Sequence, residues 1–490
     1  MTQQYSFQPA ADHLALGEAF FTSVTPADFP STTLRYANHD WAERVGLADL
    51  SAADWIMHFG RFKPIDGSLP QPLALKYHGH QFRHYNPDLG DGRGFLFAQM
   101  REPTSGRLLD LGTKGSGQTP FSRAGDGRLT LKGGVREVLA TTRLEALGVN
   151  TSKTFALVET GESLYRGDEP SPTRSSVMTR LSHSHIRIGS FQRPYFLQEQ
   201  ENIEALLAYC CQTYAPAIYQ AAYLEEGGAG AADAAPLFLR WVAHNCANTV
   251  ADWFAAGFVH GVLNTDNINI TGESFDYGPY RFLEQMDPNK VAAYFDQSGL
   301  YAFGRQPEAV YWNVQQLAAV LASVSADQAA IIDALKGYSD CLSEAVEDRL
   351  FRRLGLAATG QPAIDQPFLQ NLLATMKTSR VPFDDTLHRA FGGREWPDGE
   401  AWDDVRARAA DFQPKNPERL ELAYFQASSG TTLAYADIEA LWEPIAQDDD
   451  WSLFTEKLAQ TEAMRAAYGF EPQAADDGAF ALSVAQAKDA

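Results

Sequence analysis

The sequence has 490 residues, of which 45% are hydrophobic, and its formal net charge is −22. This composition supports a packed core in two or three domains or one two-lobed unit, whereas the acidic balance excludes broad nucleic-acid binding. No apolar run predicts a membrane span, the N-terminus lacks a secretory signal pattern, and four cysteines without a C-x-x-C pair favour a reduced, cytoplasmic protein without structural zinc.

In chain order, the first clear elements are strands. GFLFAQMR and RLLDLGTK are short apolar runs on either side of Glu102–Gly106, which predicts a hairpin. The segment 133–149 places apolar residues at three- and four-residue steps and predicts an amphipathic helix that ends near Gly148. TFALVET and SSVMTRL then predict two more strands. Residues 90 to about 190 therefore read as a sheet crossed by one helix.

Beyond residue 200 the pattern becomes helical. Two long amphipathic segments flank EEGGAGAADAAP (225–236), which predicts a surface loop, and 312–324 predicts a further helix. We divide the chain into an N-terminal extension over 1–89, a sheet-rich lobe over 90–200, a helical lobe over 201–470 and a flexible tail over 471–490. A sheet-rich half followed by a helical half predicts a cleft between two lobes.

Three weak signals for nucleotide binding occur in the sheet-rich part. LGDGRG (89–94) is a glycine-rich turn whose backbone amides could approach phosphate oxygens. Lys114 ends the next strand, and Glu137 lies on the helix that follows. Each feature alone is more often a plain turn or a solvated charge. In this order, however, they match the arrangement in which kinases position nucleotide phosphates, with the Glu holding the Lys.

A second group of residues follows the long helices, in HGVLNTDNINITGESFDYG (260–278). Asp266 and Asn267 precede what reads as a short strand, 268–271, and Asp276 follows it. One interpretation is a turn, a strand and a turn with nothing bound. The other is a site for a hard divalent cation, because Mg²⁺ prefers carboxylate and amide oxygens together with phosphates. The order of all these signals along the chain favours the second interpretation.

The chain resembles the SelO/YdiU family of kinase-like proteins from about residue 77 to residue 321. The resemblance depends on several blocks: YHGHQF (77–82), LGDGRG (89–94), KGSGQTPFSRAGDGR (114–128), VREVLATTRLEALGV (135–149), TRLSHSHIRIGSF (179–191), HGVLNTDNINI (260–270), FDYGPYRFL (275–283) and WNVQQLAAVL (312–321). The third block and the sixth are highly specific, and we would not expect them together by chance.

This resemblance implies an α+β, bilobal, protein-kinase-like fold with a nucleotide in the cleft. It also implies a protein adenylyltransferase that transfers AMP from ATP to Ser, Thr or Tyr hydroxyls and releases pyrophosphate. The nucleotide would be reversed relative to ordinary kinases, and Mg²⁺ or Mn²⁺ would be the cofactor. Transfer of UMP with manganese is a further option that the resemblance leaves open.

The same resemblance assigns roles to individual residues. Asp266 would be the catalytic base, Asn267 and Asp276 would bind the metal, and Glu137 would be the ion-pair partner of Lys114. The residues that would bind ATP are Gly90, Gly92, Arg93, Lys114, Asp126, Gly127, Arg180, Arg187 and Asp276.

Other features remain open at this stage. A phosphotransferase with the ordinary nucleotide orientation and a non-catalytic ATP-binding pseudokinase scaffold are the alternative functions. We expect ATP and protein substrates as partners, no nucleic acid, no membrane and a monomer, since no heptad run occurs. The C-terminal end lacks the cysteine that family members often carry, so redox regulation through such a residue is in doubt.

Overall fold

The fold is described from a computed structural model that covers residues 5–167, 169–472 and 476–489. The strands are β1 (Pro9–Ala10), β2 (Phe21–Ser23), β3 (Thr33–Ala37), β4 (Leu73–Leu75), β5 (Gly79–Gln81), β6 (His84–Asn86), β7 (Leu96–Arg101), β8 (Leu108–Lys114), β9 (Leu129–Thr130), β10 (Lys153–Leu164), β11 (Thr173–Ser182), β12 (Phe258–Val259), β13 (Arg281–Phe282), β14 (Leu356–Ala357) and β15 (Gln413–Pro414).

The α-helices become frequent after β11. They are α1 (His39–Arg44), α2 (Ala52–Phe59), α3 (Leu131–Ala146), α4 (Ile188–Phe196), α5 (Gln200–Tyr214), α6 (Pro216–Tyr219), α7 (Ala231–Ala255), α8 (Gln306–Leu321), α9 (Gln328–Leu354), α10 (Pro362–Ser379), α11 (Phe383–Ala390), α12 (Asp403–Ala409), α13 (Ala423–Gln426), α14 (Tyr435–Asp448), α15 (Ser452–Tyr468) and α16 (Ala479–Asp489).

One large antiparallel sheet organises the first part of the chain. Within the described residues it has nine strands, in the order β2-β4-β7-β8-β11-β10-β3, with β1 paired to β7 and β9 paired to β11. The predicted hairpin is confirmed, because β7 and β8 pair with Arg101 opposite Leu108. The segment that we assigned to an N-terminal extension supplies β1 to β4 of this sheet.

Both faces of the sheet are buried, which explains why its central strands are nearly continuous apolar runs. On one face, α1 and α2 contribute Trp41, Trp55 and Phe59 to a core that includes Phe155 of β10. On the other face, α3 packs Val135 and the rest of its apolar side into the core that continues through the helices. The predicted α+β class, with a large sheet followed by helices, is therefore confirmed.

Three local predictions differ from the structure. The segment 268–271 is not a strand: Asn269 forms a single bridge with Arg187, and pairing ends there because Arg187 is followed at once by α4. The predicted loop 225–236 is shorter than expected, because its alanine-rich end is the first turn of α7. Within 471–490, for which we predicted a tail and no element, the described residues include α16, and Phe480 stacks on His244 of α7, while 473–475 and 490 lie outside the described residues.

Candidate active site

A polar cleft of about 740 Å³ opens where the sheet meets the loop that follows α7 and β12. All but one of the residues assigned from the sequence line this cleft: Gly90, Gly92, Arg93, Lys114, Asp126, Gly127, Arg180, Arg187, Asp266, Asn267 and Asp276. The exception is Glu137, which lies behind the cleft wall as an ion-pair partner of Lys114. The structure thus brings together side chains from distant parts of the sequence.

Lys114 and Glu137 form a buried ion pair between the sheet and α3. Lys114 is the last residue of β8, and Glu137 lies on the face of α3 that packs on the sheet. Their side chains are only 7% and 3% exposed. Thr130 is the N-cap of α3, and its side chain accepts a hydrogen bond from the Gly133 amide and fixes the first turn. A buried charge pair of this kind holds the ammonium group in one position.

Asp276 is the point at which three cations meet. Its Oδ1 lies 3.0 Å from Nη1 of Arg180 and 3.6 Å from Nζ of Lys114. Its Oδ2 lies 3.4 Å from Nη1 of Arg187. Burial acts to raise the pKa of Asp276, but Arg180, Lys114 and Arg187 outweigh it and hold this pKa well below its usual range. The Asp276 backbone is also in the left-handed region, with φ of 65°, which is uncommon for a residue other than glycine.

Asp266 differs from Asp276 in its surroundings. It lies in a 3₁₀ turn, Thr265–Asn267, and is 8% exposed. Within the described part of the chain, its Oδ1 has no hydrogen-bond partner. Burial raises the pKa of Asp266 to about 6, although Arg187 works in the opposite direction. A buried carboxylate with one oxygen free of hydrogen bonds and a pKa raised toward 7 is well suited to accept a proton.

Arg187 connects the two aspartates. Its Nη1 donates to the backbone carbonyl of Asp266 at 2.8 Å and reaches Asp276 as well. The guanidinium lies 4.2 Å from the ring centroid of Tyr77 and 4.9 Å from that of Phe275, so both rings contribute cation–π attraction. Asp91 approaches its Nη2 at 3.8 Å. Asp91 was not assigned a role from the sequence, although it lies between two glycines that were.

Glycines allow the backbone to approach closely around the cleft. A Cβ on Gly90 would lie 2.4 Å from the ring of Phe121, and a Cβ on Gly94 would lie 2.0 Å from the carbonyl oxygen of Thr113. Gly127 has φ of +70° and packs on Gly117 at the base of the same loop. These contacts hold the glycine-rich loop, 115–128, against the turn at 89–94, where backbone amides are available for phosphate oxygens.

Two ion pairs tie this glycine-rich loop to the hairpin between β10 and β11. Arg166 contacts Asp126 through two hydrogen bonds of 2.8 and 3.1 Å. Arg128 contacts Glu162 in the same bidentate manner, at 2.7 and 3.0 Å. Arg166 also lines the cleft, and sequence reasoning missed it because no motif contains it.

The YHGHQF block has a structural task that the sequence did not reveal. It supplies β5, the first strand of the β5–β6 hairpin, and its backbone amides hold the turn that carries Asp266. The His80 amide donates to Oγ1 of Thr265 at 2.7 Å, and the Phe82 amide donates to Oδ1 of Asn264 at 3.0 Å. A Cβ on Gly79 would lie 3.0 Å from Oδ1 of Asp266, a tight contact that the carboxylate could relieve only by moving.

The oxygen atoms of Asn267 and Asp276 fit a hard divalent cation. Nδ2 of Asn267 donates to the carbonyl of Val262 at 3.1 Å, so its amide oxygen is the atom available to a cation. The part of the chain that the structure describes has no group of three His, Cys, Asp or Glu side chains that could hold a metal by themselves. A cation held by Asn267 and Asp276 would therefore need further ligands from outside the protein, and Mg²⁺ commonly takes such ligands from phosphates and water.

A cleft with converging cations, glycine-rich turns and a buried carboxylate is typical of enzymes that transfer a group from a nucleotide. The sequence model of the family described as "Protein adenylyltransferase SelO" matches residues 2–395, and the chain belongs to this family. This membership confirms the predicted family and the predicted enzyme class.

Relatives with the name "Protein nucleotidyltransferase YdiU" cover nearly the full length. The chain is 41% identical to one from Synechocystis sp. over 487 residues, which cover 94% of this chain and 98% of the relative. It is 40% identical to one from Trichormus variabilis, with 92% and 94% covered, and 32% identical to one from Bradyrhizobium sp., with 97% and 96% covered. Among the described helices, none has the length and apolar character needed to cross a bilayer.

Proposed function

We propose that this chain transfers AMP from ATP to Ser, Thr or Tyr hydroxyls of proteins and releases pyrophosphate. The observation that carries the proposal is the convergence of Lys114, Arg180 and Arg187 on Asp276, beside the buried carboxylate of Asp266. The cations would bind the triphosphate, and Asp266 would accept the proton of the attacking hydroxyl.

A bilobal, kinase-like arrangement is part of the proposal. The cleft receives Lys114 and Arg180 from the sheet and Asp266 and Asp276 from the loop between β12 and β13. An ATP molecule in this cleft, with its outer phosphates toward Lys114, would turn its α-phosphate toward the acceptor. The arginine pair and the second glycine-rich turn support this reversed orientation, because ordinary kinases lack both features.

The cations would act by offsetting charge on the leaving pyrophosphate. The acceptor oxygen forms a bond to the α-phosphorus, the bond between this phosphorus and the α,β-bridging oxygen breaks, and negative charge accumulates on the departing group. Arg180 and Arg187 offer planar groups of donors suited to phosphate oxygens, and Lys114 adds a point charge. All three cations contact the Asp276 carboxylate, so phosphate oxygens would take over contacts that a carboxylate makes in this structure.

Asp266 is proposed as the general base. Its pKa of about 6 leaves it ionised at neutral pH yet more basic than an exposed aspartate. It takes the hydroxyl proton as the new oxygen–phosphorus bond forms. Asn267 and Asp276 are the residues that would hold Mg²⁺ or Mn²⁺, and such an ion would neutralise phosphate charge when it is bound.

Labelled nucleotides test the proposal directly. The protein is incubated with Mg²⁺ or Mn²⁺ and with ATP labelled at either the α or the γ position, and label on protein is measured. We expect label from the α position alone, and label from the γ position alone would instead establish a phosphotransferase. A parallel reaction with α-labelled UTP and Mn²⁺ measures UMP transfer.

Asp266→Ala is the variant that separates ATP binding from transfer in this experiment. We expect it to bind ATP with near-normal affinity, because Asp266 is not among the proposed phosphate ligands, and to lose transfer. Binding without transfer in the native chain under all these conditions would support the scaffold alternative and contradict the proposal.

A further inference from the structure

Beside Arg180 lies a buried histidine that the proposed reaction does not use. Nε of Arg180 donates to Nε2 of His185 at 3.4 Å, while Nη1 of the same guanidinium contacts Asp276. The His185 side chain is 4% exposed. The Arg180 guanidinium is thus held at two points, by the Asp276 carboxylate in the cleft and by the buried His185 ring.

His185 is itself oriented by Asp110 of β8. Oδ2 of Asp110 accepts from the His185 backbone amide at 2.9 Å and lies 3.2 Å from Nδ1 of the ring. Oδ1 of Asp110 accepts from Nε2 of Gln99 at 2.7 Å, so both carboxylate oxygens have partners. The result is a continuous buried chain of hydrogen bonds from Gln99 through Asp110 and His185 to Arg180.

A glycine in the middle of β8 makes room for this ring. Gly112 pairs directly opposite Arg180 of β11, and a Cβ at this position would lie 2.2 Å from Nε2 of His185. Glycine inside a strand weakens it and often marks a close approach by another group. Here the group is the His185 ring, which occupies the space that a side chain at 112 would fill.

The hydrogen-bond roles in this chain fix one tautomer. An arginine side chain can only donate, so Nε2 of His185 must carry a free lone pair. The ring proton must then be on Nδ1, where it is donated to Asp110. Protonation of Nε2 would set two donors against each other and remove the second support of Arg180.

We propose that His185, oriented by Asp110, is a positioning residue that fixes the Arg180 guanidinium for binding of a nucleotide phosphate. The inference rests on the proposed function only in that Arg180 binds phosphate. Fixing the guanidinium in advance reduces the conformational entropy lost on binding, and geometry of this kind favours charge stabilisation in transfer reactions.

Binding of a non-hydrolysable ATP analogue with Mg²⁺, measured by calorimetry, tests this role without any assumption about which group is transferred. We expect His185→Phe to weaken binding about 10-fold, since a buried hydrogen bond to a charged group is lost. His183→Phe is the matched control, because His183 is similarly buried, packs its ring on Tyr214 and has no hydrogen bond to Arg180 within the described part of the chain. His183→Phe should change the affinity for the ATP analogue less than about twofold, because the substituted side chain does not hold a proposed phosphate ligand.

A double-mutant cycle with Arg180→Lys separates positioning from a general structural effect. Lysine has no Nε–H group to donate, so His185→Phe should cost less than about twofold in that background. An equal loss in both backgrounds would overturn the proposal. Gly112→Ala should reproduce the loss of affinity by displacing the ring, and His185→Gln should restore most of it by supplying an acceptor oxygen.

The tautomer of His185 can be measured in the native protein, so this test does not depend on whether a variant folds. With ¹⁵N-labelled histidine, the nitrogen shifts of His185 should report a protonated Nδ1 and an unprotonated Nε2. The opposite assignment would refute the inference. The two proposals fail separately: loss of analogue binding by the native chain would contradict the proposed function, whereas equal binding by native protein and His185→Phe would contradict the role of His185.

Discussion

Nζ of Lys114 lies 3.6 Å from Oδ1 of Asp276, although the two residues belong to different parts of the chain. The same ammonium group also pairs with Glu137 inside the sheet-helix interface. Lys114 therefore contacts one carboxylate that is permanently buried and one that lines the cleft. A triphosphate in the cleft would compete only for the second contact, so the ion pair with Glu137 can persist when nucleotide binds.

The first prediction separates stability from binding at this pair. Lys114→Met should abolish ATP binding and also destabilise the protein by about 3 kcal/mol, because Glu137 is left buried without its partner. Lys114→Met with Glu137→Leu should recover the stability but not the binding. Chemical denaturation and calorimetric titration with an ATP analogue measure the two effects. Restored binding in the double variant would show that Lys114 does not contact nucleotide.

The second prediction concerns the pH dependence of transfer. As the proposed base, Asp266 would act only when ionised, and burial raises its pKa to about 6. We therefore expect kcat/KM to fall about tenfold per pH unit below this value and to be flat above it. Binding of a non-hydrolysable analogue, measured at each pH, separates this effect from titration of the nucleotide itself. A profile that stays flat down to pH 4.5 would be incompatible with Asp266 as the base.

The third prediction follows from the same pKa shift but concerns stability. Burial raises the pKa of Asp266 from 3.8 to about 6, so the folded state binds this proton more tightly than the unfolded state. The stabilisation is fully present below pH 3.8 and is lost as the pH rises through 6. At pH 7.5 the ionised carboxylate thus costs about 3 kcal/mol relative to low pH.

Asp266→Asn tests this cost because it removes the charge with little change in volume. It should raise the free energy of unfolding at pH 7.5, and the gain should shrink as the pH is lowered to 4. Denaturant titrations of both proteins at the two pH values measure the difference. A gain that is the same at both pH values would exclude the charge of Asp266 as its source.

Much of the site could be predicted from sequence because its residues occur in short specific blocks. Lys114, Arg180, Arg187, Asp266, Asn267 and Asp276 all lie in such blocks, and all line the cleft. Arg166 and Asp91 were missed for a physical reason. Their importance depends on which segment faces them, and that is decided by how the β10–β11 hairpin and β4 pack and not by local pattern.

The fold shows the same division. Apolar runs predicted β7, β8, β10 and β11, because burial on both faces leaves a clear local signal. The segment 268–271 has isoleucines that favour a strand, yet its only backbone pairing in the described structure is a single bridge to the segment around Arg187. The Ile270 amide donates to the Ile186 carbonyl, and the Ile188 amide donates to the Ile268 carbonyl. Whether a segment becomes a strand also depends on how long the segment opposite it stays extended, and the sequence of 268–271 does not contain that information.

The fourth prediction tests the hairpin that supports the catalytic turn. Gly79→Ala would place a methyl group 3.0 Å from Oδ1 and 3.1 Å from Cβ of Asp266, so the carboxylate must move. We expect kcat to fall at least tenfold while the affinity for an ATP analogue changes less than about twofold, since displacement of a catalytic group affects chemistry more than binding. Gly337→Ala on α9, where a methyl group meets nothing within 4 Å, is the control. Equal kcat values for the two variants would contradict this role of the hairpin.

The fifth prediction concerns the ion pair between Arg166 and Asp126, which ties the glycine-rich loop to the β10–β11 hairpin. Both side chains are partly exposed, so the pair is worth at most about 1 kcal/mol. Arg166→Ala should accordingly raise the KM for ATP about three- to fivefold with little change in kcat.

Reversal of the charges gives the sharper measurement. Arg166→Asp and Asp126→Arg should each weaken ATP binding, and the double variant should recover part of the loss because the two side chains can still attract each other. Arg408→Ala, which removes a comparable exposed pair with Asp404 on α12, should leave the KM unchanged. If the reversed pair binds ATP no better than either single variant, Asp126 acts on the nucleotide directly and not through Arg166.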